Sequence, residues 1–187
     1  MSRARAVLFG KLPAHGDFVA RNLAPEAKSA WDSWASQGLE RARDALGEGF
    51  DAVHDGAPPW RFVDGPGRFG PAWRAGAIAP SVDSAGRRFL IMVAADELSP
   101  VEASASGEDL ALAMEEVIYA GFEQGLDADG LIQAASASLP ALPTPPQGEA
   151  PQLRWWTGGG PRHAPRMLQG PPDLLAALTP SSEEIGA

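Results

Sequence analysis

The residues with the most chemical potential in this 187-residue chain are glycines, histidines and charged side chains set in turn-rich loops. Gly65-Pro66-Gly67-Arg68-Phe69-Gly70 is a literal G-x-G-x-x-G behind a predicted strand, with Asp83 about 20 residues on. A dinucleotide site needs a helix to open at the third glycine, so that its N–H groups receive the pyrophosphate. Pro71, Gly76 and Pro80 follow instead, so the segment reads as a wide turn. Gly10-Lys11 lacks the upstream glycine and the following Ser or Thr of a phosphate-binding loop. Gly158-Gly159-Gly160 runs into Pro161 and reads as a flexible turn. Neither is a phosphate cradle.

His15, His54 and His163 have no histidine partner at helical spacing, and the chain has no cysteine. That composition excludes disulfides, thiolate zinc sites, iron–sulfur clusters and cysteine nucleophiles. His15 and Asp17 could share a metal, but two ligands in one loop are a sparse set. Ser81 with His15 and Asp17 would make the elements of a hydrolytic triad, without the G-x-S-x-G elbow that exposes a serine nucleophile. A small hydrolase built on His15, Asp17 and Asp83 is therefore the enzymatic alternative. No cofactor or small-molecule substrate is expected, and the chain reads as a non-enzyme.

More conspicuous is the charge placed in otherwise apolar loops: Lys11, Asp17, Arg21, Asp83, Arg87 and Arg88. Two accounts compete for it. In the structural one, Asp17 caps backbone N–H groups or pairs with Arg21, and Asp83 holds the turn that Gly86 closes. In the functional one, the loops present a recognition surface whose arginines bind carboxylates or phosphates in a planar fork. If the loops meet in space, Asp17 is expected to pair with Arg87 or Arg88.

The elements that must position these residues follow from composition and periodicity. Length favours one domain, large enough for a core without staples. The net charge of −9 is the wrong sign for a nucleic-acid or anionic-membrane binder. The apolar run Ala6–Phe9 is too short for a signal-peptide core, and no stretch approaches the ~18 apolar residues of a membrane span. A soluble protein of a reducing compartment is the expectation. Alanine supplies 34 of the hydrophobic residues, against 38 for Leu, Ile, Val and Phe together, so close-packed elements are expected. The 21 glycines and 18 prolines point to long connecting loops.

Residues 5–9 read as a strand ended by Gly10. From Pro25, an apolar stripe through Ala27, Trp31, Trp34, Ala35, Gly38, Leu39 and Ala42 predicts a helix that stops at Gly47. Both tryptophans are expected to be largely buried. Residues 60–63, 76–79 and 89–95 read as strands, with a turn-rich loop from Pro80 to Arg88 between the last two. A second helix is expected near Ser106, with Asp109 completing a capping box, and a third over 130–138. Five prolines over 140–151 mark an extended loop. Residues 153–156 and 166–169 read as returning strands, and a short helix follows Pro172. The expected unit is one α/β (α+β) domain over 1–180, a mainly antiparallel sheet flanked by helices, with a flexible acidic tail at 181–187.

Beyond these local readings, the chain resembles a known family. Phe9-Gly10-Lys11-Leu12-Pro13-Ala14-His15-Gly16-Asp17-Phe18-Val19, then Arg21, Trp31-Asp32-x-Trp34 and Gly38-Leu39 resemble the start of the TagF (ImpM) family of type VI secretion-associated proteins. The likeness continues through Pro58-x-Trp60-Arg61-Phe62, Pro80-Ser81-Val82-Asp83, Gly86-Arg87-Arg88-Phe89 and Trp155-Trp156. Two departures are visible: Ala24 stands where the family's proline-bearing turn begins, and Leu90 replaces a proline. The resemblance implies a longin- or profilin-like fold and a cytoplasmic accessory protein that represses type VI secretion after translation. It implies a forkhead-associated scaffold protein as partner, with no nucleic acid and no membrane insertion. A structural or assembly component of the secretion machine is the alternative within that setting. Lys11, His15, Asp17, Arg21, Asp83, Arg87 and Arg88 are the candidate partner-binding residues.

Overall fold

The computed structural model describes residues 4–139 and 150–180. Among them, seven strands form one sheet: β1 (Arg5–Gly10), β2 (Val19–Arg21), β3 (Trp60–Asp64), β4 (Trp73–Val82), β5 (Arg88–Leu98), β6 (Arg154–Thr157) and β7 (Arg166–Leu168). The spatial order is β2-β1-β5-β4-β3-β6-β7, and every neighbouring pair is antiparallel. The helices are α1 (Pro25–Leu46), α2 (Phe50–Asp55), α3 (Pro100–Gln124), α4 (Ala128–Ala137) and α5 (Leu174–Leu178). This is the expected α+β sheet flanked by helices.

Strand parity divides the core. Val7, Phe9, Phe62, Ile78, Met92 and Trp155 face one side, where α1, α2 and α5 pack. Ala6, Leu8, Ala77, Ala79, Ile91 and Val93 face the other, under α3 and α4. Both faces are covered, so the middle strands lose the in–out polarity of a half-exposed sheet. That is why 89–95 reads as an unbroken apolar run.

On the first face, Trp31 stacks on Phe69 at 3.8 Å between ring centroids, and Trp155 stacks on Phe62 at 4.5 Å. Trp31 is fully buried, while Trp34 covers the edge of this cluster and is only half-buried. The expectation for Trp34 thus holds in part. Gly38 lets α5 lie directly on α1: a Cβ there would come within 2.7 Å of Leu174. The small side chains of α1 serve this close approach.

Three local expectations need correction. The second helix begins at Pro100 rather than near Ser106. Ser99 accepts from the Glu102 backbone N–H, and the Glu102 carboxylate accepts from the Ser99 N–H, which completes a capping box. The Ser106/Asp109 signal lies inside α3, because the alanine-rich first turns carry too little apolar contrast to mark the start. The loop expected from Pro80 to Arg88 shrinks to 83–87, since β4 continues through Pro80, paired with Leu90, to Val82. Finally, β2 and α2 were not expected; three and six residues are too short to show a period. The late strands and the last helix stand where the sequence places them. The proline-rich stretch at 140–149 and the acidic tail at 181–187 lie outside the described residues.

Candidate functional site

The site is built where β1 ends beside the start of β5, with the end of β4 on the other side of that strand. Gly10 closes β1 with φ +141°, and a Cβ there would lie 2.0 Å from the Leu90 carbonyl oxygen. Only glycine allows the backbone to pass so close. The turn it makes lets the Lys11 N–H donate to Leu90 O (3.0 Å) while Ser81 Oγ donates to the Lys11 carbonyl (2.7 Å). The Lys11 side chain is thereby fixed toward Asp83, and Nζ donates to Oδ2 at 2.8 Å. Both side chains are withdrawn from solvent.

Asp83 is fully used. Its Oδ1 accepts the backbone N–H groups of Ala85 (3.0 Å) and Arg87 (2.9 Å), and Oδ2 also accepts Arg87 Nε (2.7 Å). Lys11 foremost, with these further donors, holds the Asp83 carboxyl far below the usual carboxylate range against the opposing effect of burial. Gly86, at φ +77°, closes the turn with its N–H on Asp83 O. The turn role expected for Asp83 is what the structure shows.

The two charged loops do meet. Ser84 N–H donates to the His15 carbonyl (2.9 Å), and Arg87 Nη2 donates to the Gly16 carbonyl (2.5 Å). The expected link from Asp17 to Arg87 or Arg88 is not the one that forms. Asp17 Oδ1 accepts the adjacent Phe18 N–H, and among the described residues no ion pair joins it to either arginine. Backbone carbonyls and the buried Asp83 take the place assigned to it. Arg88 turns the other way, to Asp55 (2.7 and 2.8 Å) and Asp51 (2.9 Å) on α2. Its hydrogen bonds hold the Asp55 carboxyl below its ordinary range.

His15 and Arg21 turn away from Asp83 as well. His15 Nε2 accepts the Ala128 N–H at the start of α4 (3.0 Å), and Arg21 Nε donates to Asp129 (2.6 Å). That bond raises the Arg21 pKa and lowers that of Asp129. Arg21 therefore pairs with α4 rather than with Asp17. The elements of the hydrolytic alternative are each engaged elsewhere: Ser81 on a carbonyl, His15 on a backbone N–H, Asp83 in a buried ion pair. Among the described residues, no group of three or more His, Asp or Glu is placed to share a metal ion. The glycine motif at 65–70 is a turn between β3 and β4, with Gly67 and Gly70 exchanging both backbone hydrogen bonds, and it opens no helix.

Between α1 and the 83–87 loop lies an open cleft of about 670 Å³. Of the seven candidate residues, Lys11, Arg87 and Arg88 line it, together with Phe18, Arg43 and Phe50, which the sequence did not single out. Phe18 stands 41% exposed, packed edge-on against Phe89 with centroids 4.7 Å apart and with Lys11 Nζ 4.9 Å from its own centroid. Arg43 lies over Phe50 at 4.8 Å and donates through Nη2 to the Arg88 carbonyl (2.7 Å). In sequence, Arg43 is only a polar residue off the apolar stripe of α1. No local signal distinguishes it from its solvated neighbours.

With this geometry established, comparison with known proteins places the chain. The family model described as "TagF N-terminal domain, Type VI secretion system-associated" matches residues 7–138. The crystal structure of PA0076 from Pseudomonas aeruginosa PAO1 is similar in fold, with a TM-score of 0.75, 24% identity and 97% of each chain covered. A comparison with curated proteins finds no match. No helix among the described residues is long and apolar enough to cross a membrane.

Proposed function

The chain belongs to the TagF family of type VI secretion-associated proteins, and from that premise we propose that it is a cytoplasmic accessory protein repressing type VI secretion after translation. It does so by binding the forkhead-associated scaffold of the system, without catalysing a reaction. The observation that carries this reading is the locked loop pair. Lys11, Asp83 and Arg87 join two loops from distant parts of the chain into one preformed surface. A preformed surface saves the ordering cost of binding, and arginines with aromatic neighbours are frequent anchors of protein interfaces.

The residues proposed to form this surface, by contact or by shaping it, are Lys11, His15, Asp17, Arg21, Asp83, Arg87 and Arg88. The structure divides their work. Lys11 and Asp83 shape the loops from within, His15 and Arg21 tie them to α4, and Arg87 and Arg88 reach the surface cleft. Calorimetry of the purified chain against the scaffold, with secretion measured on overexpression, tests the proposal. Saturable binding together with silenced secretion is expected. A chain that neither binds the scaffold nor lowers secretion overturns it. Co-purification with the secretion apparatus in place of the scaffold favours an assembly role.

A further inference from the structure

The cleft between α1 and the 83–87 loop has a charge unlike the rest of the molecule. The chain carries −9 overall, yet the cleft is lined by the cations Lys11, Arg43, Arg87 and Arg88 against the carboxylates Glu40 and Asp51. Not all of that charge is available. Lys11 is spent on buried Asp83, and Arg88 on Asp51 and Asp55. Arg43 and Arg87 remain. Nη2 of Arg43 is held by a carbonyl, whereas its Nε and Nη1 make no hydrogen bond among the described residues. Nε and Nη2 of Arg87 are held by Asp83 and Gly16, its Nη1 makes no such bond, and the side chain is 60% exposed.

Two guanidinium groups, one from the α1 wall and one from the loop wall, thus line one cleft with spare donors and fixed positions. Arg87 is anchored by Nε and Nη2, and Arg43 by Nη2 and by lying over the Phe50 ring. Little side-chain entropy remains to be lost when an acceptor arrives. The same cleft has an aromatic part, with Phe18 exposed and packed edge-on against Phe89.

We infer that this cleft is where the protein partner docks, and that it takes a segment in which an Asp or Glu side chain adjoins an apolar one. The carboxylate is clamped by Arg43 and Arg87, and the apolar group covers Phe18. This rests on the functional reading above, and it moves the centre of the surface from the seven loop residues toward Arg43 and Phe18. Glu40 limits the clamp to a single acidic group, since a second carboxylate on the α1 wall would meet a like charge.

The test uses the full chain and the full-length scaffold. Hydrogen exchange of the wild-type complex should show protection over 11–18, 36–51 and 84–89. Arg43→Glu and Phe18→Ala should each weaken binding about tenfold or more while keeping the wild-type melt. In tiled peptides of the scaffold, the competing ones should carry an Asp or Glu beside an apolar residue, and replacing that acid with Lys should restore binding to Arg43→Glu. Protection confined to other surfaces, or full affinity in both variants, overturns the cleft assignment and leaves the scaffold reading standing. Competition only by basic peptides, or only by phosphorylated ones, overturns the carboxylate. Absence of any binding by the wild-type chain overturns the functional reading itself.

Discussion

Lys11 and Asp83 lie 72 positions apart in the chain and meet at 2.8 Å with both side chains out of water. The pair fastens the first loop of the chain to the turn between β4 and β5, and the rest of the candidate surface hangs from it. Removing one partner of a buried pair leaves the other uncompensated, which costs more than the pair itself contributes. Asp83 has four donors and Lys11 one acceptor, so the two ends are unequal. Asp83→Ala should lower the melting temperature more than Lys11→Met, because Arg87 still neutralises Asp83 when Lys11 is gone. Thermal melts of the two variants decide this, and the reverse order would show that Lys11 holds the loops by other means.

Acid should attack the same place. The folded-state pKa of Asp83 is depressed, so its contribution is present in full above the ordinary aspartate value of about 3.9 and is lost as pH falls toward the lower folded value. Asp55 and Asp129 are shifted in the same direction. Burial shifts Asp64 the other way, which adds stability as pH falls through the weakly acidic range, so urea melts should show the loss only below the ordinary aspartate value. Asp83→Asn, destabilised at neutral pH, should show a shallower acid drop.

In the aromatic cluster, Trp31→Ala empties a fully buried site and should cost about 3–5 kcal/mol. Trp34→Ala should cost distinctly less, because its ring is half-buried at the edge. Denaturant melts with a common m-value provide the comparison; equal losses would mean that Trp34 carries as much of the cluster as Trp31.

Two glycines with positive φ should respond differently to alanine. At Gly86 no atom lies within 4 Å of the added Cβ, so Gly86→Ala should cost only the backbone preference, about 1–2 kcal/mol. At Gly10 the Cβ meets a backbone oxygen at 2.0 Å, and β1 must separate from β5 to make room. Gly10→Ala should fail to accumulate as folded protein, while Gly86→Ala should purify normally with a modestly lowered melt.

The start of α3 can be located by substitution. Ser99→Ala removes the cap and should cost about 1 kcal/mol. Ser106→Ala lies within the helix and should be neutral or slightly stabilising, since alanine is the better helix former. A larger loss at Ser106 than at Ser99 would place the helix start where the sequence alone suggested.

What the sequence determined by itself is whatever rests on neighbours along the chain. The stripe of α1, the apolar run of β5, the glycine turn at 65–70 and the Asp83–Gly86 turn each depend on spacing within a few residues, and each stands as read except that Trp34 sits at the half-buried edge of its stripe. Even the meeting of the two charged loops followed from strands adjoining at their ends. The sequence could not choose the partners. Lys11 to Asp83, Arg21 to Asp129, Arg88 to Asp51 and Asp55, and Arg43 to the Arg88 carbonyl all join different elements. Only the order β2-β1-β5-β4-β3-β6-β7 and the helices on its two faces bring those groups within reach. Charge attracts charge without reading sequence distance, so any of several aspartates satisfied the local rules for each arginine. The backbone decided among them, by placing Asp83 rather than Asp17 behind the turn that Gly10 makes.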